Sequence, residues 1–160
     1  MSGASDVFDE LRSRGWTLGI AESLTGGAVA AEFVSVSGAS AVLLGGVVAY
    51  ATPVKHTLLG VDAGLLEEHG PVHPLVAKQM ADGVRSAVAV DGRRADAGIS
   101  TTGIAGPDSP DGQPVGTVHI GVVTPAGERT EAFHFSGDRA EIRAQSVQAA
   151  FATMLELLRE

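Results

Sequence analysis

The sequence predicts an α/β protein, a three-layer α/β/α sandwich with a mixed sheet, as a single domain over residues 1–160. Two observations carry this. Short apolar runs at 17–21, 41–50 and 95–101 alternate with stretches whose apolar residues recur at helical spacing, the pattern of helices packed on strands. Two further runs flank the Pro125-Ala126-Gly127 turn and read as a hairpin, which adds antiparallel strands to the sheet.

The elements follow in order. Val7, Phe8 and Leu11 predict a helix over 5–14, stopped by Gly15. A strand at 16–21 runs into Glu22-Ser23-Leu24-Thr25-Gly26-Gly27 and then a helix over 25–36, with Ser23 or Thr25 as its cap. The run 41–50 reads as a buried strand, with Gly45-Gly46 marking a bulge or a close backbone approach. Residues 53–59 and 62–69 read as short helical pieces. His73 and Pro74 open a longer helix, with Val76, Met80, Val84 and Ala87 as its stripe. A strand over 95–101 leads into the glycine-bearing loop Thr102-Gly103-Ile104-Ala105-Gly106-Pro107, and 108–114 read as a surface loop. Strands at 115–124 and 129–135 form the hairpin, with Val118, Ile120 and Val122 on one face. Asp138 and Glu141 form a capping box for the last helix, whose stripe is Val147, Phe151, Met154 and Leu158.

Composition narrows the function classes. With 44% hydrophobic residues and only 4% aromatics, the core is built from Ala, Val, Leu and Ile. There are no cysteines, which removes disulfides, thiolate metal sites and cysteine nucleophiles. A net charge of −8 without a basic stripe argues against nucleic acid as a partner. No apolar run reaches the ~18 residues of a membrane helix, and no basic-then-apolar leader opens the chain, so a cytoplasmic protein without a membrane partner is expected. The five histidines show no metal spacing and read as structural.

The candidate chemistry lies in three stretches. Ser23, on position alone, is a helix cap worth ~1 kcal/mol; as a reactive group it is a nucleophile. Tyr50, the single tyrosine, and Lys55 follow the second apolar run. A strand-end tyrosine is ordinarily a core residue with its hydroxyl at the rim, and a lone lysine is ordinarily solvated. The reactive reading makes Lys55 the base for Ser23, which requires burial or a nearby cation to bring it below its ordinary value of ~10.4, and gives Tyr50 a proton-relay role. A pairing of Glu22 with Lys55 would oppose that role. Thr25, Gly26 and Gly27 offer backbone N–H groups for an oxyanion or a phosphate. The loop from Ser100 to Pro107, with Thr101, Thr102, Gly103 and Gly106, suits a phosphate or ribose. Arg139 and Arg143 open the last helix, either pairing locally with Asp138 or Glu141 or holding an anion at a pocket edge.

Read together, these segments resemble a known family. Ala21-Glu22-Ser23-Leu24-Thr25-Gly26-Gly27, then Gly45-Gly46-Val47-Val48-Ala49-Tyr50 with Val54-Lys55, then Thr102-Gly103-Ile104-Ala105-Gly106-Pro107 with Pro114-Val115-Gly116-Thr117, are similar to the three collinear blocks of the CinA C-terminal domain, the competence-damage-inducible family. The resemblance implies hydrolytic deamidation of nicotinamide mononucleotide to nicotinic acid mononucleotide and ammonia, without metal or cofactor. It carries catalytic roles to Ser23, Tyr50 and Lys55. From the reading of the residues themselves, substrate contacts are expected from Glu22, Thr25, Gly26, Gly27, Gly46, Thr101, Thr102, Gly103, Gly106 and Arg143. The resemblance also implies a homo-oligomer. Three positions depart from the family pattern: Leu24 replaces a common cysteine, His73 a common serine, and residues 108–112 a more glycine-rich loop. The alternative from another class is a nucleotide-binding or protein-interaction module, associated with competence or DNA damage, that does not turn over.

Overall fold

The computed structural model describes residues 3–110 and 112–160. Met1, Ser2 and, within the loop expected at 108–114, Asp111 lie outside the described residues. The elements run α1 (Gly3–Arg14), β1 (Leu18–Glu22), α2 (Ala28–Val34), β2 (Leu43–Val48), α3 (Thr52–Leu59), α4 (Ala63–His69), α5 (Pro74–Ala87), β3 (Ala97–Gly103), β4 (Thr117–Thr124), β5 (Gly127–His134) and α6 (Arg139–Leu158). The five strands form one sheet in the order β2-β1-β3-β4-β5. β1 pairs in parallel with β2 and β3, and β3–β4 and β4–β5 are antiparallel, so the sheet is mixed as expected.

Two apolar layers cover it. On one face, α1, α2 and α6 bury Phe8, Leu11, Phe33, Phe151 and Met154 against Ile20, Ile99 and Ile120. On the other, α3, α4 and α5 bury Leu59, Leu66, Val76, Met80 and Val84 against Ala21 and Ala49. Val118, Ile120 and Val122 are fully buried, as their alternation predicted. α5 lies unusually close to the sheet. A Cβ at Gly98 would stand 1.9 Å from the Ala81 carbonyl oxygen, and one at Gly121 2.3 Å from that of Ala77. The Ser100 hydroxyl donates to the Ala77 oxygen in the same contact.

Three expectations change. The helix expected over 25–36 begins only at Ala28, with neither Ser23 nor Thr25 as its cap. Gly27 takes the cap position with φ 104°, and the Glu22 carboxylate accepts from the N–H groups of Gly27 (3.1 Å), Val29 (2.9 Å) and Ala30 (3.0 Å). A carboxylate satisfies several orphan donors at once and suits the positive end of the helix, so it displaces a hydroxyl cap. Second, the run 41–50 is the edge strand β2, only half-buried, because no strand follows it on the outer side. The bulge expected there is present: Leu18 pairs with Leu43 and Gly19 with Gly45, leaving Leu44 extra. Third, Ala87 faces solvent at the last turn of α5 rather than extending its stripe. The Asp138–Glu141 capping box is present on α6. No helix among the described residues is long and apolar enough to cross a membrane.

Candidate active site

Because β1 and β2 run in parallel, the segments leaving their C-terminal ends emerge side by side. The end of β1 delivers Ser23. The end of β2 delivers Ala49 and Tyr50, and α3 starts at once and turns Lys55 inward, where it is 1% exposed. Lys55 Nζ donates to Ser23 Oγ at 2.9 Å, to the Ala49 carbonyl at 2.7 Å and to the Tyr50 carbonyl at 3.2 Å. Burial pulls Lys55 from its ordinary value down to about 8. Glu22 does not pair with it, since both carboxylate oxygens face the start of α2. The amine is therefore buried against three neutral acceptors.

The three acceptors differ chemically. The ammonium form has three N–H donors for three oxygens. The neutral amine has two donors and a lone pair. Carbonyl oxygens can only accept, so those of Ala49 and Tyr50 retain the donors. Ser23 is the one neighbour able to reverse its role and donate its hydroxyl hydrogen to the amine. Proton loss from Lys55 thus allows the Ser23 hydroxyl to donate to the amine with no heavy atom moving, an arrangement suited to activating that oxygen.

Ser23 is held from behind. Its N–H donates to Thr101 Oγ1 at 3.3 Å, and Thr101 Oγ1 bonds Thr25 Oγ1 at 2.8 Å, both threonines fully buried. In front of Ser23 and Lys55 lies a cavity of about 490 Å³, whose walls include Leu24, Tyr50, Thr102, Gly103, Ile104, Gly106 and Arg139. The Gly106–Pro107 bond in its rim is cis. Thr102 Oγ1 donates to the Pro71 carbonyl at 2.7 Å and so ties the β3 loop to the opposite wall.

Of the thirteen expected site residues, six line this cavity: Ser23, Tyr50, Lys55, Thr102, Gly103 and Gly106. The phenol of Tyr50 is at the rim, 60% exposed, and accepts from Arg139 at 3.2 Å; its backbone carbonyl, not its hydroxyl, meets Lys55. Glu22, Thr25, Gly26, Gly27, Gly46, Thr101 and Arg143 do not line the cavity. Gly26 N–H is spent on the Ser23 carbonyl and Gly27 N–H on Glu22, so neither amide is directed at the cavity. Arg143 donates to the Leu24 (2.9 Å) and Thr25 (3.2 Å) carbonyls and braces the Ser23 loop. The arginine that faces the cavity is Arg139, which reaches Tyr50 and the Gly106 carbonyl (2.7 Å) instead of Asp138 or Glu141. Pro71 and Val72 complete the wall from the α4–α5 connection. Their signal in the sequence was absent, because an ordinary Pro-Val pair marks a loop and not a pocket. Among the described residues, no group of three or more His, Asp or Glu is placed to hold a metal ion.

A mixed-sheet α/β domain with a buried serine–lysine pair at the parallel strand ends defines the class. Its family follows from comparison: residues 2–158 match the CinA C-terminal domain, and the chain belongs to that family. A CinA-like protein of Frankia casuarinae is 45% identical over 152 residues, covering 95% of this chain and 34% of that protein. A putative competence-damage inducible protein of Caldanaerobacter subterraneus is 44% identical over 147 residues, covering 91% of this chain and 34% of its own length. This chain therefore spans about a third of these curated relatives. Among solved structures, a CinA superfamily protein from Klebsiella pneumoniae superposes with TM-score 0.90 at 32% identity, covering 98% of this chain and 96% of that one. One from Escherichia coli superposes with TM-score 0.89 at 31% identity, covering 97% and 88%.

Proposed function

We propose that this domain is an amidohydrolase that converts nicotinamide mononucleotide to nicotinic acid mononucleotide and ammonia, with Ser23 as nucleophile and Lys55 as its base. The observation that carries the reading is the 2.9 Å contact between Lys55 Nζ and Ser23 Oγ, made by an amine that burial brings to about 8. At pH 7.5 such an amine is roughly one quarter neutral, against about one part in a thousand for an unshifted lysine.

In this mechanism Ser23 Oγ attacks the carboxamide carbon and its proton passes to Lys55. The tetrahedral intermediate then collapses. The C–N bond breaks, the nitrogen takes the proton back from the Lys55 ammonium, and ammonia leaves an acyl-serine. Water attacks the ester, gives a proton to Lys55, and the proton returns to Ser23 as the acid departs. With Gly26 and Gly27 amides engaged elsewhere, the developing oxyanion falls to the amide of Leu24, the residue after the nucleophile and part of the same wall. Tyr50, whose phenol is held by Arg139 at the rim, frames the approach of the carboxamide. Arg139 is the cation offered to the substrate phosphate, and only part of its five-donor fork is used internally. The Leu24 side chain keeps the wall beside the serine apolar and contributes no chemistry of its own.

The test is ammonia release from nicotinamide mononucleotide by wild type, Ser23→Ala and Lys55→Ala. Turnover that falls ~100-fold or more in both variants supports the assignment. A folded wild type that binds the nucleotide but releases no ammonia overturns it in favour of a binding module.

A further inference from the structure

The connection between α4 and α5 carries part of the cavity wall, and two histidines bracket it. Pro71 and Val72 line the cavity. His69 is the last residue of α4, and His73 is the N-cap of α5. Their rings stack, with centroids 4.6 Å apart and planes 28° apart. The stack closes the step between the two helices, and Pro71 and Val72 lie within that step. Two side chains from elsewhere hold the same segment. Thr102 Oγ1 donates to the Pro71 carbonyl at 2.7 Å, and Gln113 Nε2 donates to that of Val72 at 2.9 Å.

We propose that His69, His73 and His119 form an acid-operated release for the Pro71–Val72 wall, closed while the three rings are neutral and opened when protons enter the cluster. The closed form resists those protons for separate reasons. His73 Nδ1 accepts from the Leu75 N–H at 3.1 Å and so caps α5. In the imidazolium both ring nitrogens carry hydrogen, so that acceptor is lost. A cation at the start of α5 also faces the positive end of the helix. A cation on either of the stacked rings opposes one on the other. His119, on β4, has its Nδ1 buried without a hydrogen-bond partner. Charging that ring puts a hydrogen on a buried atom with no acceptor, which costs the desolvation of a donor.

The charges around the cluster do not compensate for added protons. On α4, Glu68 lies 3.8 Å from His69, and its side chain is 76% exposed. On α5, Lys78 is the first charged residue, and Glu128 of β5 holds it at 2.7 Å. On β5, His134 opposes Thr117, two residues from His119 on the same sheet face. Asp108 lines the cavity side of the wall. Among the described residues, no carboxylate pairs with His73 or His119. Burial, with His69 beside it, holds His73 below its ordinary value of 6.5, and burial, with His73 beside it, does the same for His119. An opened connection restores the ordinary value. Below 6.5 the open form therefore binds more protons, and opening is favoured as pH falls through that window. Above it the wall stays closed. Release of the first turn of α5 frees the residue that follows Val72, while Ser23 and Lys55 are held by other elements. The consequence for turnover rests on reading this cavity as the nucleotide site; the opening itself does not.

Amide exchange at about pH 5.5 and about pH 7.5, on the protein without substrate, tests the opening. The Leu75 amide bonds His73 Nδ1 and the Ala77 amide bonds the His73 carbonyl. Both are expected to lose protection ~10-fold or more at the acid end, beyond the change in intrinsic rate, and the Val72 methyl signals should shift with them. His73→Ser caps α5 with a hydroxyl that does not titrate in this range, and it should keep both amides protected at either pH. Over the same interval KM for nicotinamide mononucleotide should rise ~3-fold or more beyond its rise in His73→Ser, with kcat falling equally in both. Titration of Lys55 and of the substrate phosphate is common to the two proteins and cancels. Unchanged protection in the wild type, or an equal loss in His73→Ser, overturns the proposal. Opening without the added rise in KM, in a protein that turns over, overturns its coupling to the cavity. A protein that releases no ammonia at either pH removes the nucleotide reading, and exchange alone then decides the opening.

Discussion

Lys55 Nζ lies 2.9 Å from Ser23 Oγ, and its other two hydrogen-bond partners are the carbonyl oxygens of Ala49 and Tyr50. An amine so placed is buried without a counter-charge, which costs stability as an ammonium and supplies a base as a neutral amine. Under the proposed mechanism the same contact governs both reactivity and the pH dependence of folding.

For reactivity, kcat/KM should rise with pH and level off above about 8, where Lys55 is neutral. Lys55→Arg keeps a cation that does not deprotonate. It should lower kcat/KM ~100-fold or more, and a Ser23→Ala/Lys55→Arg double variant should lose little beyond either single one, since both act in one step. An additive loss in steady-state assays would contradict a joint role.

For stability, the folded value of Lys55 lies below its unfolded value, so between about 8 and 10.5 the unfolded chain binds the extra proton. Stability attributable to this group rises with pH through that window and is lost as pH falls through it. The penalty below pH 8 is of order 3 kcal/mol. Urea titrations at pH 7 and pH 10 should show the wild type gaining relative to Lys55→Met, whose methylenes fill the site without a charge. Equal slopes for both proteins would remove Lys55 as the cause.

Glu22→Ala should lower stability by about 2–4 kcal/mol, because three N–H groups at the start of α2 lose a charged acceptor. Glu22→Gln, which keeps one acceptor oxygen, should lose less. Thermal denaturation orders the two variants.

Arg139→Ala should raise KM for nicotinamide mononucleotide ~10-fold or more while leaving the nucleoside lacking the phosphate unchanged as a substrate, which separates anion recognition from general damage to the pocket. Arg143→Ala should instead lower kcat and stability together, since that side chain braces the Leu24 and Thr25 carbonyls.

Gly98→Ala should destabilise by about 3 kcal/mol or more, because its methyl group must displace the backbone of α5 at Ala81. A change below 1 kcal/mol in chemical denaturation would mean that α5 sits farther from the sheet than described.

Local patterns were legible in the sequence. The 3.6-residue stripe of α6 and its Asp138–Glu141 box, the alternation of β4, and the Pro-Ala-Gly turn each depend on residues within one or two turns of each other. So was the grouping of Ser23 with Lys55, although that grouping needed a contact across 32 residues of chain to become a site. The buried reading of 41–50 shows the limit: hydropathy reports that a strand avoids charge, and only strand order reports whether a neighbour covers it.

By itself, the sequence determined the elements, their order and the residue types available for chemistry, because capping, periodicity and turn formation are short-range. Tertiary structure alone decided that Glu22 serves α2 and not Lys55, that Arg139 and not Arg143 faces the cavity, and that Lys55 is buried enough to lower its basicity. Each of those outcomes is a competition between partners brought together by packing. Distance and desolvation settle it, and neither is a property of any local stretch of chain.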